Sequence, residues 1–590
     1  MRKRQSRTDG ALAWVPVWSL LSVAQVQAVD VWTVGVDNSR QGWNRFETVL
    51  TPATVPALKK LREFPVDEKI DVSPLVVGDK LYVFTMSNTA YVFDVNTGVE
   101  LRQRQLAPPF DPADIANPPG KGMDLHNIYR SWGITATPVI DTASGTLYVT
   151  TFGKPNAGSN NLERNNLLWI LDANTLADKK PPVLMAGNPD NGGEGISNGF
   201  AVPYQKMRAG LGLLGDGGGG QAVIVSFSIN GENPEGPGHG FVAAYDVRGL
   251  NREPGFTPTP AIWSVTPTGG AGGIWMSGSG PAIEGNDIYL ATGNGMDPGR
   301  TPGNFAECFV KLRYTPGAAN VNGGKPKLEV NDYWAAFSDF ARGDTDQDLG
   351  AAGVFITARG NLVGGGKDGI LYNLDKTNLG KHSWNPHFNL PFTATYLPAP
   401  PNGPAGLPTN AAIDPNWPIV KLDRAVPPNT PFGMTYHIHG TPVYLENAIQ
   451  GFVYVWGENE RLKAYSYDFA TRRITQFFGE GTQFASGNMP APGGMPGGRA
   501  VVSSNGTAPG TAVVWAAYPT QGNANAEIVP GALVAYDATQ AVNGKLKQLF
   551  HSNTKAADKL GNFAKYSTPV VANGKVYVGT FSNKVVQYGF

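Results

Sequence analysis

"TPVVANGKVYVGTF", Thr568–Phe581, holds a short apolar strand, an Asn-Gly turn and a second β-rich strand. Asn-Gly between two apolar runs is a strong hairpin signal, because both central turn positions need a positive φ. The same plan recurs up the chain: "SPLVVGDKLYVFT" (73–85), "TPVIDTASGTLYVTT" (137–151), "AGLGLLGDGGGGQAVIVSF" (209–227) and "GPAIEGNDIYLATG" (280–293). It continues in "GVFITARGNLVGGG" (353–366), "TPVYLENAIQGFVYVWG" (441–457) and "VVSSNGTAPGTAVVWAA" (501–517). A third strand often follows and closes on an aspartate, as in "AYVFDVNTG", "LWILDANTL", "VAAYDVRG", "ILYNLDKTN" and "LVAYDATQ". These are eight units of roughly 60 to 90 residues each.

Each unit offers three or four antiparallel strands and cannot bury both faces alone. Radial packing of the units solves that problem and leaves few open edges, unlike an open solenoid or a string of sandwiches. The expected fold is all-β: an eight-bladed β-propeller with long loop insertions, spanning residues 29–590. The last unit, "KVYVGTFSNKVVQYGF", stops mid-blade, and the strand-like "VDVWTVGVDNSRQGWNRF" (29–46) is expected to complete it. Two proline-rich stretches, Leu390–Gly433 and Asn488–Gly498, read as surface insertions over one mouth of the ring; the first is too rich in proline for a central strand.

The 47 Lys+Arg balance 47 Asp+Glu, which argues against a nucleic-acid partner. Residues 1–28 have a basic start, an apolar stretch too short to span a bilayer, and Val26-Gln27-Ala28. That is the plan of a signal peptide, so a periplasmic or secreted mature chain without a transmembrane span is expected. The single cysteine, Cys308, excludes an intramolecular disulfide and a CxxCH haem attachment.

A pocket on a propeller axis draws single polar residues from successive blades. Glu232 and Glu235 stand in "GENPEGPGHGFVAAYD"; Trp275 and Asn294 stand in "GGIWMSGSGPAIEGNDIYLATGNG". Asp344, Asp346 and Asp348 cluster in "RGDTDQDLGAAG", and Lys367 follows in the turn of "GGGKDGILYNLD". Each also has a plain reading, as a solvated loop carboxylate, a packed indole or ordinary turn chemistry. The aspartates are not an EF-hand: counted from Asp344, the sixth and twelfth positions are Leu349 and Phe355, where glycine and glutamate are required. "GGGKDG" lacks the P-loop spacing and precedes a strand. His437 and His439 point to one side of an extended segment, a possible copper or zinc pair, with no third ligand identifiable in the sequence.

The repeats and the order of these residues resemble the quinoprotein alcohol dehydrogenases, over nearly the whole mature chain. In that family a glutamate precedes a "G-aromatic-x-x-A-Y-D" strand, as Glu235 precedes "GFVAAYD". A tryptophan under the cofactor precedes a metal-binding "TGN" asparagine, as Trp275 precedes Asn294. The resemblance implies pyrroloquinoline quinone (PQQ) and Ca2+ as cofactors, with Glu235, Asn294 and Asp348 as metal ligands and Asp348 as catalytic base. It implies that Trp275, Lys367 and Arg130 (in "HNIYRSWGITATPV") bind the quinone. Gly350 stands where lanthanide-using members place a further aspartate, which favours calcium. The implied activity is oxidation of an alcohol or sugar-type hydroxyl, with electrons leaving to a separate acceptor such as a cytochrome.

The chain also departs from the family. Leu125 and His126 stand where many members carry adjacent cysteines, and the blade-fastening motif survives well only as "VFDVNTGVELR". Those departures leave a second reading open, a non-catalytic propeller that serves as a binding or assembly scaffold in the cell envelope.

Overall fold

A computed structural model describes residues 29–109, 131–153, 165–193, 205–215, 220–229, 238–250, 257–298, 301–317, 325–335, 346, 348–367, 369–382, 419–421, 437–489 and 494–590. Their strands form one ten-stranded sheet and six sheets of four or five strands. The ten-stranded sheet is two blades joined at their outer strands by one parallel pairing, Glu480↔Lys545. The ring therefore has eight blades, as the repeats require. Blade 1 comprises Leu75–Val77, Lys80–Phe84, Thr89–Asp94 and Glu100–Gln105. The innermost strands of blades 2 to 8 are Val139–Asp141, Gly212–Leu214, Ala282–Glu284, Val354–Ile356, Val443–Glu446, Arg499–Ser503 and Val570–Ala572.

Hydropathy follows distance from the axis. The inner hairpins are apolar on both faces, whereas the outer strand Glu100–Gln105 is polar and mostly exposed. The buried clusters lie between neighbouring blades: one joins Tyr82 and Phe84 of blade 1 to Leu147 and Leu171 of blade 2, another joins Phe355 of blade 5 to Tyr444 and Tyr465 of blade 6. The aspartate ending the third strand ties the next turn. Asp94, Asp172, Asp375, Asp468 and Asp537 each accept the backbone N–H and the hydroxyl of a threonine two or three residues on. This contact survives where the rest of the fastening motif does not.

Ring closure differs from the sequence expectation. The strand that completes blade 8 is Lys59–Pro65, antiparallel to Lys584–Gly589. Residues 29–46 cannot play that part: Gly35 and Gly42 bend the chain at φ 73° and 66°, and buried Arg40 and Asn44 break any apolar alternation. Instead residues 29–47 form a girdle across the inner strands, visiting the blades in order. Val29 N donates to Asn573 of blade 8 and Val31 bridges Val76 of blade 1. Trp32 O accepts from Ile140 N of blade 2, and Asn38 Nδ2 donates to Leu213 O of blade 3. Backbone oxygens of Asn38, Ser39, Gln41 and Gly42 then accept from Ile283, Ile356, Tyr444 and Val502, in blades 4 to 7. Asn44 Nδ2 returns to blade 8 at Val571 O, 2.9 Å away.

Arg40 anchors the girdle. Its guanidinium is fully buried and donates to Thr33 Oγ1, Val34 O, Leu211 O and Pro281 O at 2.6–3.0 Å. Burial lowers its pKa to about 10, against the opposing pull of Asp37, so it stays charged at neutral pH.

The proline-rich insertion contributes one short strand, Ile419–Lys421, at the outer edge of blade 5 against Ile370–Tyr372. Most of Leu390–Gly433, and residues 1–28 where a signal peptide is expected, lie outside the described residues. No helix among the described residues is long and apolar enough to cross a membrane.

Candidate functional site

The inner strands enter the ring from the end opposite the girdle, and the candidate residues lie in the loops just before them and in the turns that follow the second strands. Trp275 to Ser277 precede the inner strand of blade 4, and Asp348 precedes that of blade 5. The two loops are stitched together: Met276 N donates to Gly350 O and Ser277 N to Ala351 O. Leu349 N donates to the buried carboxylate of Glu307, which fixes the turn that carries Asp348.

Asp348, Asn294 and Lys367 are in direct contact. Asp348 Oδ1 accepts from Asn294 N at 2.9 Å, and Oδ2 lies 2.6 Å from Lys367 Nζ. Lys367 also reaches Asp346 at 2.6 Å, and Asp346 accepts from Asn294 Nδ2. Lys367 N donates to Asp348 O, locking the hairpin turn to the aspartate loop. Burial works against the lysine's charge, but Asp348 and Asp346 outweigh it and raise its pKa above the ordinary value. Gly293 makes the approach possible: a Cβ there would lie 2.2 Å from Asp348 Oδ1 and 3.1 Å from Trp275 Cδ1. Gly350 is equally confined, since a Cβ would fall 2.6 Å from the Thr292 carbonyl carbon.

Trp275 keeps only 9% of its surface exposed. The Arg208 guanidinium sits 4.6 Å over its ring and 4.7 Å over Tyr566. Lys206 lies between Trp132 and Trp275, at 4.3 and 5.8 Å from the ring centres. Arg499 and Lys565 approach Tyr566 from blades 7 and 8, at 5.2 and 5.0 Å. Arg499 is fully buried, donates to carbonyl oxygens of Lys565, Ser277 and His439, and has its pKa lowered to about 10 by that burial. Blades 3, 7 and 8 thus direct four cations toward Trp275 and Tyr566.

His437 and His439 lie on the lead-in to the inner strand of blade 6, and here the structure supplies the third group that the sequence did not reveal. Glu458, in the next hairpin turn, faces both imidazoles: Oε1 is 2.8 Å from His439 Nε2 and Oε2 is 3.7 Å from His437 Nδ1. His439 is held neutral, its pKa pushed well below the ordinary value by burial, then by His437, Lys367, Arg499 and Arg208.

Of the residues expected from the sequence, the structure brings Asn294, Asp348 and Lys367 into contact and sets Trp275 beside them. Arg130, Glu235, Glu232 and Asp344 lie outside the described residues. Sequence reading missed Lys206, Arg208, Arg499, Lys565 and Tyr566. They share only a placement, since "YQKMRAG", "GGRAVV" and "AKYSTPVV" each stand at the entry to an inner strand.

Fold and site together define an eight-bladed propeller with a polar centre at one end of its axis, and this is the fold of the quinoprotein alcohol dehydrogenases. A quinohemoprotein alcohol dehydrogenase of Pseudomonas putida HK5 superposes with a TM-score of 0.55 at 13% identity, over 95% of this chain and 80% of that one. A europium-containing methanol dehydrogenase superposes at 0.52 and 13% identity, over 95% of this chain and 98% of that one. At such identity the likeness establishes the fold alone. No family model and no curated protein sequence matches the chain.

Proposed function

We propose that the chain is an exported quinoprotein-type oxidoreductase that oxidises an alcohol or sugar-type hydroxyl and passes electrons to a separate carrier such as a cytochrome. The observation that carries this reading is the meeting of Trp275, Asn294, Asp348 and Lys367 at one end of the axis, beside the cations of Lys206, Arg208 and Arg499.

The donor set fits PQQ, which carries three carboxylates and two quinone oxygens. Lys206, Arg208 and Arg499 supply charge for the carboxylates, and Lys367 supplies a donor for a quinone oxygen. Trp275 offers the stacking face; Arg208 rests there, and a guanidinium with carboxylates to pair with has reason to move off the indole. Asn294 and Asp348 offer hard oxygens for Ca2+, with Glu235 as the third protein ligand. A lanthanide ligand at 350 does not fit, because backbone fills the space of a Cβ. PQQ held by these residues would supply a two-electron acceptor, and Ca2+ would supply a Lewis acid.

The chain's own residues do the rest. Asp348 takes the substrate hydroxyl proton as general base, held in place by the Asn294 amide and Lys367. Lys367, whose pKa Asp348 and Asp346 raise against the opposing effect of burial, supplies positive charge that stabilises negative charge near it. Titration of apo-protein with PQQ plus Ca2+ tests the reading by tryptophan quenching and alcohol-dependent dye reduction. Saturable quenching lost in Trp275→Ala, with dye reduction lost in Asp348→Asn, supports it. No binding at micromolar quinone overturns it and leaves the scaffold.

A further inference from the structure

We propose that His437, His439 and Glu458 form a second metal site, specific for a zinc-type divalent transition ion and separate from the Asn294–Asp348 centre. The three ligand atoms lie within 4.8 Å of one another, the spacing that one small ion can draw together. None of the three is a solvated surface group: His439 and Glu458 are 2% exposed, and only His437 keeps partial access to solvent.

The backbone pre-forms the arrangement. His437 and His439 are two residues apart on an extended lead-in, so their rings share one side while Ile438 points the other way into the blade 5–blade 6 core. Ile438 N donates to Gly366 O, which pins this segment to the hairpin that carries Lys367. Glu458 N donates to His437 O at 2.9 Å, which fixes the hairpin turn under the imidazoles. The nitrogens that face the carboxylate, Nε2 of His439 and Nδ1 of His437, are the ones an ion between them would bind.

The identity of the ion follows from ligand type and local field. Two imidazoles and one carboxylate suit Zn2+ and its neighbours, whereas Ca2+ and Mg2+ need oxygen-rich shells. Arg499 donates to His439 O at 2.7 Å, and that neighbouring positive charge opposes any cation. An ion held mainly by charge is turned away by that field. One held by inner-sphere bonds to nitrogen tolerates it. Three protein ligands leave a fourth tetrahedral position, the pattern of reactive rather than purely structural zinc centres.

Co2+, a spectroscopic substitute for Zn2+, tests this on the metal-free full-length protein without quinone. The expected result is ligand-field absorption that saturates near one Co2+ per chain and is displaced by Zn2+ but not by Ca2+. Glu458→Gln and His437→Ala lose the signal while their near-ultraviolet circular dichroism stays that of the parent. Asp348→Asn keeps it, so failure of the quinone reading and failure of this one are read separately. Absence of ligand-field bands in the parent, or bands that persist in both the Glu458→Gln and His437→Ala proteins, overturns the proposal.

Discussion

At the girdle end of the axis one continuous stretch, residues 29–47, touches all eight blades, and most of its bonds run through backbone atoms. At the other end, blades 3 to 8 lend separate side chains that meet across the axis: Arg208, Trp275, Lys367, His439, Arg499 and Tyr566 among them. Each group of residues includes a fully buried guanidinium, and the two line one cavity, but to different effect. Arg40 is saturated by the girdle and two blades, whereas Arg499 stands beside aromatic rings and other cations. One end is built to hold the ring together. The other gathers charge that a ligand can use.

Five changes put that division under strain. Deleting residues 29–47 strips a bonding partner from the inner strand or inner turn of every blade, and the remaining chain is expected to lose its cooperative thermal transition in calorimetry. Asp348→Asn keeps a cooperative melting transition but lowers alcohol-dependent dye reduction by about 10²- to 10⁴-fold, the usual worth of a general base. Arg40→Met does the reverse. It leaves four buried oxygens short of a donor, costs about 3–5 kcal/mol in urea unfolding, and spares activity per folded molecule. If Arg40→Met abolishes quinone binding at full folding, the two ends are not separable.

Gly350→Asp is expected to cost about 1–3 kcal/mol through overpacking against Thr292 and Ala291, without conferring activity with a lanthanide. Lanthanide-dependent activity in that variant contradicts the confinement seen at Gly350. The smallest effect comes from His551, remote from both ends on the outer strand of blade 7. Its Nδ1 accepts from Asn553 N and its Nε2 pairs with the Tyr518 hydroxyl, so the folded ring is neutral, and burial lowers its pKa. The unfolded chain takes up that proton first as pH falls below about 6.5, so stability present above that pH is lost below it. His551→Gln should flatten the slope of melting temperature between pH 7 and 5 by less than about 1 kcal/mol equivalent, with activity unchanged.

The ring was legible because each inner hairpin is apolar on both faces and ends in a turn with its own chemistry, such as Asn573-Gly574. Trp275, Asn294, Asp348 and Lys367 could be picked out because each stands beside a strand that the repeat already located. The girdle could not. Its bonds run mainly through peptide oxygens, which leave no trace in residue type, and its positions repeat nothing. Glu458 was hidden for another reason: it meets His437 and His439 only after a hairpin folds back, and a glutamate in "WGENE" reads as turn chemistry. Arg208 and Arg499 fell outside the reading because a basic residue before a strand is ordinary until burial is known.

Residues 29–65 leave the ribosome some five hundred residues ahead of their partners in Val570–Ala572 and Lys584–Gly589. Individual hairpins can form as they emerge, but the circle cannot be sealed while the final blade is still inside the exit tunnel. Until blade 8 emerges, Lys59–Pro65 has no strand to pair with, an opportunity for chaperones and a hazard without them.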